Sequence, residues 1–188
     1  MSKKKIVKMW PETMELRVRT VLSEICEHEE WIDYNISIYV NKADAKDAAD
    51  PDSEPIIKVG TARVWRYLGK YGYNAMESFD LTQDMYDLWS AMISKDARKA
   101  FDFYDELDYD LLYVDRIKID NAYKAQGLGT LAIKKIEEYL GSQCGLVTVI
   151  PDHGKNLERL KKWYKRLGYK EAGDTNVFYK SLRDWSDE

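Results

Sequence analysis

Apolar positions recur every second residue in the first third of the chain and every third or fourth from the middle onward. Tyr34 to Val40, YNISIYV, alternates cleanly and predicts a strand, and Ile56 to Leu68, β-branched and aromatic, predicts another. ADAKDAADPDSEP between them carries the Pro, Asp and Ser of an exposed loop. Thr13 to Leu22 fits two periods. Leu16, Val18, Thr20 and Leu22 alternate as in a strand, whereas Met14, Val18, Val21 and Ile25 fall on a helical face; the strand is favoured. Behind Leu68, GKYGYN reads as a turn before a further short strand near AMESFDL, which would close a hairpin.

From Leu81 to Glu106 the period lengthens. Leu81, Met85, Leu88 and Met92, then Ala97, Ala100, Phe101 and Tyr104, predict one or two helices with Thr82 or Ser94 as N-caps. Tyr109 to Asp120 returns to strand. The next helix should bury Leu128, Leu131, Ala132, Ile136 and Leu140, turn Lys134, Lys135, Glu137 and Glu138 outward, and end with Gly141 at C′. Gly145 to Pro151 is short and nearly all apolar, the pattern of a strand buried in a parallel sheet, so strand, helix and strand make a βαβ unit. A last helix capped by Asn156 would bury Leu157, Leu160, Tyr164 and Leu167 and stop at Gly168, ahead of a strand from Asn176 to Leu182.

Composition narrows the classes. The 188 residues are 45% hydrophobic, which suits one domain over 1–188 with a single core. No apolar run is long enough for a membrane span or a signal peptide, so a soluble cytoplasmic protein is expected. Cys26 and Cys144 are the only cysteines and His28 and His153 the only histidines, which supports neither a disulfide framework nor a metal site. A net charge of −4 argues against general binding to nucleic acid. Acidic runs at Asp44 to Glu54 and Asp102 to Asp110 are the usual solvated faces, or rims that attract a cation.

Residues 121–140, NAYKAQGLGTLAIKKIEEYL, carry the chemistry. A G-x-G turn between strand and helix aims backbone N–H groups from the positive end of a helix dipole, where they can ligate a phosphate. Read alone, the same turn also serves as a tight βα connection. The third glycine of a dinucleotide fingerprint is Ala132, and a G-x-x-x-x-G-K-[ST] loop is missing.

IDNAYKAQGLGTLAIKKI resembles the acyl-CoA signature of the GNAT superfamily of N-acyltransferases, Q/R-x-x-G-x-G/A, with Lys124, Ala125, Gln126, Gly127, Leu128 and Gly129 on the motif. WYKRLGYKEAG, from Trp163 to Gly173, resembles that family's later segment, a helix ending Tyr-x-x-Leu-Gly-Phe/Tyr before the last strand. The resemblance implies an α+β fold: a central mixed, twisted sheet of about six to seven strands, antiparallel in its N-terminal part, with a splayed parallel pair around the βαβ unit and helices on both faces. It further implies an N-acetyltransferase passing an acetyl group from acetyl-CoA directly to a primary amine, without a metal. Lys124 stands where the family has Arg or Gln, keeping a donor but losing the planar fork.

Under that resemblance the backbone from Ala125 to Thr130 cradles the phosphates, Ile117 and Ile119 line the pantetheine arm, and a bulge at Asp120 frees the Ile119 N–H to polarise the thioester. Asp115 matches the base, directly or through water, and Tyr164 the acid for the leaving thiolate. Each has a competing reading: an ion pair to Arg63 for Asp115, core packing for Tyr164. Tyr113, Asp115, Ile117 and Ile119 are expected on one strand face. The family's helix asparagine falls on Leu157, one residue after Asn156, which leaves Asn156 as a cofactor contact or only a cap. Trp163, the neighbour of Tyr164, is expected outside the sulfur site. The acceptor is unknown, with a cationic small molecule or a protein amine favoured by the acidic rims; a homodimer is possible but not indicated, and an inactive binding module on the same fold is the alternative.

Overall fold

The computed structural model describes residues 9–21, 31–42, 56–69, 79, 82–93, 110–152 and 154–182. Seven strands make one sheet in the order β1-β2-β3-β4-β5-β7-β6. They are β1 (Met9–Val21), β2 (Trp31–Lys42), β3 (Ile56–Tyr67), β4 (Asp110–Ile119), β5 (Cys144–Val149), β6 (Lys170–Glu171) and β7 (Phe178–Ser181). All neighbours are antiparallel except β4 and β5, which run parallel because a helix crosses between them.

Among the described residues three helices cover the sheet: α1 (Gln83–Ile93), α2 (Leu128–Leu140) and α3 (Leu157–Arg166). One face packs Ile36, Ile38, Val64, Leu112, Val114 and Val147 against Leu128, Ala132, Ile133 and Ile136 of α2 and Tyr164 of α3. The other packs Trp31, Trp65, Tyr67, Leu111 and Tyr113 against Phe79 and Met85, Leu88 and Ala91 of α1. The oxygen Thr82 Oγ1 caps α1, accepting from the N–H of Met85 at 3.2 Å. The all-apolar pattern of β5 is explained by its position, all six of its residues being buried between two helical layers.

Four local expectations change. β3 is paired by β2 along one edge and β4 along the other, which leaves no edge for a hairpin with 75–81; Phe79 lies in a helical turn, and the rest of that stretch falls outside the described residues. Gly141 keeps a right-handed φ of −83°, and a Cβ there would meet Leu182 Cδ1 at 2.5 Å, so a side chain at 141 would need that leucine to move. Ile133, unassigned by the helical pattern, is fully buried, while Leu131 and Leu140 are only partly so. The two-residue β6 has no sequence period to reveal it. The expected helix beyond Ile93, positions 102–109 of the second acidic run, Cys26, His28 and His153 lie outside the described residues.

Candidate active site

β4 changes character half-way. Its register with β5 runs from Asp110↔Cys144 to Val114↔Val149 and stops there, while β4 continues five residues to Ile119. The two parallel strands therefore splay beyond Val114. On its other edge β4 stays paired with β3, from Leu111↔Tyr67 to Ile119↔Gly60. Close approach at that end needs Gly60, since a Cβ would sit 2.4 Å from the Lys118 carbonyl oxygen.

The direction of the free amides follows from the ladder. Asp120 N–H donates to Val59 O at 2.9 Å, which makes Gly60 and Ile119 a non-hydrogen-bonded pair. The backbone N–H of Ile119, and two residues earlier that of Ile117, thus point away from β3 into the opening left by β5. Asp120 itself stays in the ladder, so the expected bulge is not there.

The bulge is at Asp115. Arg63 faces Arg116 and Val64 faces Val114, leaving Asp115 as the extra residue of β4. One inserted residue reverses the strand's alternation. Leu112 and Val114 pack under α2, and so do Ile117 and Ile119, whereas Tyr113 lies on the α1 face. The four odd-numbered residues therefore do not share a face: Asp115 stays with Tyr113, in the field of Arg63 and of Asp84 from α1, opposite the side chains of Ile117 and Ile119.

Burial pushes the Asp115 carboxyl above its ordinary value, and Arg116 and Arg63 pull against that shift without cancelling it. Its side chain is 15% exposed and its ion-pair partner is the solvated Arg116, at 3.7 Å. Arg63 does not pair with it. The Arg63 guanidinium holds the fully buried Asp33 instead, Nη2 to Oδ2 at 2.7 Å and Nε to Oδ1 at 3.3 Å, and lies over the Trp65 ring. Tyr113 OH donates to Asp84 Oδ2 at 3.4 Å, and burial raises its pKa, so it stays a phenol. Asp84 has no signal in the sequence beyond its place in the first turn of a helix.

The glycine turn follows β4 directly. A short 3₁₀ turn, Asn121–Tyr123, leads through Lys124 to Ala125 at φ +64° and Gly127 at φ +76°, and α2 starts at Leu128. Gly127 as N-cap offers no side chain to the first amides of the helix, and the space where its Cβ would be is open to 4 Å. The N–H groups of Leu128, Gly129 and Thr130 precede the first intrahelical bond, Leu131 N–H to Gly127 O at 3.1 Å. Lys124 and Ala125 are exposed and Gln126 half-buried at the rim. Uncapped amides at a helix's positive end suit an anion, so this turn fits the diphosphate of a CoA-type donor.

From α3, Trp163 reaches the turn. Its Nε1 donates to Thr130 Oγ1 at 3.0 Å, and its ring lies 3.8 Å from where a Cβ on Gly129 would be, with Ile119 Cγ1 at 4.0 Å from the same point. Trp163 thus sits at the glycine turn and the end of β4. The neighbouring Tyr164 is buried among Trp163, Tyr169 and Phe178, and burial pushes its hydroxyl up to about 12. Packing and chemistry are both open to this tyrosine, since its hydroxyl has no hydrogen-bond partner among the described residues and it lies within the electrostatic reach of Tyr113. Asn156 is exposed and makes no side-chain cap bond at the start of α3, so capping does not account for it.

Sheet order, a parallel pair that opens at its end, and a glycine turn leading from that opening into a helix are now all in place. The fold is GNAT-like. No family model matches the sequence, and no curated protein matches it. Among solved structures, NAA60 of Arabidopsis thaliana in complex with acetyl-CoA is 13% identical, with 89% of this chain and 99% of that one covered and a TM-score of 0.42. Arylalkylamine N-acetyltransferase 2 from Aedes aegypti is 13% identical over 79% of this chain and 73% of its own, at 0.42. FeeM, an N-acyl amino acid synthase from uncultured soil microbes, is 9% identical over 90% and 91%, at 0.40. Among the described residues no cluster of His, Cys, Asp or Glu has the makings of a metal site, and no helix is long and apolar enough to cross a membrane.

Proposed function

We propose that the chain is an acetyl-CoA-dependent N-acetyltransferase acting on a primary amine. The observation that carries this reading is the opening between β4 and β5, into which the Ile117 and Ile119 amides point, at the same end as the uncapped glycine turn of α2. The turn from Ala125 to Thr130 supplies amides for the diphosphate, with Lys124 and Gln126 at its rim. The freed edge of β4 offers donors to an extended amide-containing arm, as if to another strand. Asn156, exposed and uncommitted at the start of α3, is the remaining contact assigned to the donor.

The two acid–base residues suit a direct transfer because they lie on opposite faces of the sheet. Asp115 is on the α1 face, from which an amine would approach, and Tyr164 on the α3 face, toward which a thiolate would leave. A carboxylate with a raised pKa is a better base than an ordinary aspartate, and a phenol held protonated has a proton to give. The ammonium loses a proton to Asp115, the free amine attacks the thioester carbon, the oxyanion is met by the Ile119 N–H, and the C–S bond breaks with the proton of Tyr164 going to sulfur. The second proton left on the attacking nitrogen is released through solvent and restores the tyrosinate. Asp84 beside Asp115 favours a cationic acceptor, a small amine or a protein amine.

The test is thermal unfolding with acetyl-CoA, CoA, NAD and ATP in parallel, followed by an amine screen. A ligand at a hundred times its dissociation constant adds about 2.7 kcal/mol to the native state. Selective stabilisation by the two CoA species is the expected result. The absence of any shift with either would leave the inactive interaction module as the reading.

A further inference from the structure

We infer that Trp163 is a positioning residue for the acyl donor, holding the Thr130 hydroxyl so that its proton is directed at the diphosphate; this rests on the donor site proposed above. An indole N–H can only donate, so in the 3.0 Å bond between Trp163 Nε1 and Thr130 Oγ1 the threonine oxygen is the acceptor. The hydroxyl proton must therefore go elsewhere. In a helix its usual acceptor is the carbonyl one turn back, here that of Gln126. That bond is not made, and no other acceptor among the described residues takes it.

What remains is the direction in which the side chain leans. Helical side chains tilt toward the N-terminus, and Thr130 is the third residue of α2, so its oxygen reaches back toward the open amides of Leu128 and Gly129. The indole edge lies 3.8 Å from where a Cβ on Gly129 would be, and its ring is tilted against that of Tyr164 with centroids 4.7 Å apart. The turn thus presents an oriented hydroxyl beside its backbone donors, and the residue that orients it belongs to a different helix.

Calorimetric titration with CoA of the wild type, Trp163→Phe, Thr130→Val, the double variant and Thr130→Ser tests this. Loss of one hydrogen bond to a charged group predicts that Trp163→Phe and Thr130→Val each weaken CoA by about tenfold. The double variant should be no weaker than the worse single one, because both changes remove the same proton donor. Thr130→Ser should keep affinity within about twofold. Wild-type affinity in Trp163→Phe, or losses that multiply in the double variant, would overturn the inference while leaving the donor site standing. A wild type that does not bind CoA would overturn both.

Discussion

The two faces of the sheet are built differently. Under α2 and α3 the packing is mostly aliphatic, and what that face contributes to the site is largely backbone: the amides of Leu128 to Thr130 and the edge of β4. Under α1 it is aromatic, with Trp31, Tyr67 and Phe79 in mutual contact at 5.0 to 5.2 Å and Trp65 against Tyr113 at 5.4 Å. That face buries charge as well, Asp33 beneath Arg63, with Asp84 and Asp115 near its edge. A phosphate-bearing donor can be held by main-chain groups that almost any side chains supply. The proposed amine acceptor would instead be met by particular side chains, Asp84 and Asp115, so that side depends on residue identity.

The largest expected effect is on that acceptor side. Asp115→Asn should lower amine turnover by about a hundredfold or more while CoA affinity stays put, as steady-state kinetics beside calorimetry will show. The same variant carries a stability signature. A carboxyl whose folded pKa lies above its ordinary 3.8 contributes stability that is complete below that value and lost as pH rises through the folded pKa. Asp115→Asn should therefore melt higher than wild type at pH 7, with the gap closing below about pH 4. Equal melting at both pH values would remove the claim that burial strains this carboxylate.

Ile133→Ala on the aliphatic face should cost about 3 kcal/mol in urea unfolding, since Ile133 is fully buried in the core under α2. Asp33→Ala should cost about 2 kcal/mol, less than a wholly buried pair because a third of the Arg63 side chain meets solvent. The faces should then part company under a second substitution. Adding Arg63→Met to Asp33→Ala should recover part of the loss, because the half-buried guanidinium no longer has to be desolvated, and a failure to recover would mean that the pair contributes more than it costs. Smallest of all are the helix starts: Thr82→Ala should cost about 1 kcal/mol, and Asn156→Ala should leave melting within about half a kcal/mol of wild type.

Legibility in the sequence follows the same division. β5 and α2 could be read because their residues obey one period from end to end, and the G-x-G turn because its backbone conformation demands glycine at 127. Asp115 could be singled out as a carboxylate in an apolar strand, but its face could not, since alternation assumes a regular strand and the extra residue is set by pairing with β3. By proximity Arg63 is the natural partner for Asp115, yet Asp33, two positions along a neighbouring strand, takes it. Contacts between helices distant in sequence, such as Trp163 with Thr130, leave no local pattern at all.

The bulge at Asp115 also sets a rule of counting. A substitution at 115 alters what the position does but leaves every later residue of β4 where it was. Deleting the position would do the same: Val114 opposite Val64 would be followed directly by Arg116 opposite Arg63, and Ile117 and Ile119 would stay under α2 with their amides turned away from β3. The extra residue thus adds a carboxylate to the α1 face without moving the strand on either side of it. A chain lacking this one position would lose the proposed base and keep the opening that the donor is proposed to enter, whereas one further residue lost from that stretch would move Ile117 and Ile119 to the other face.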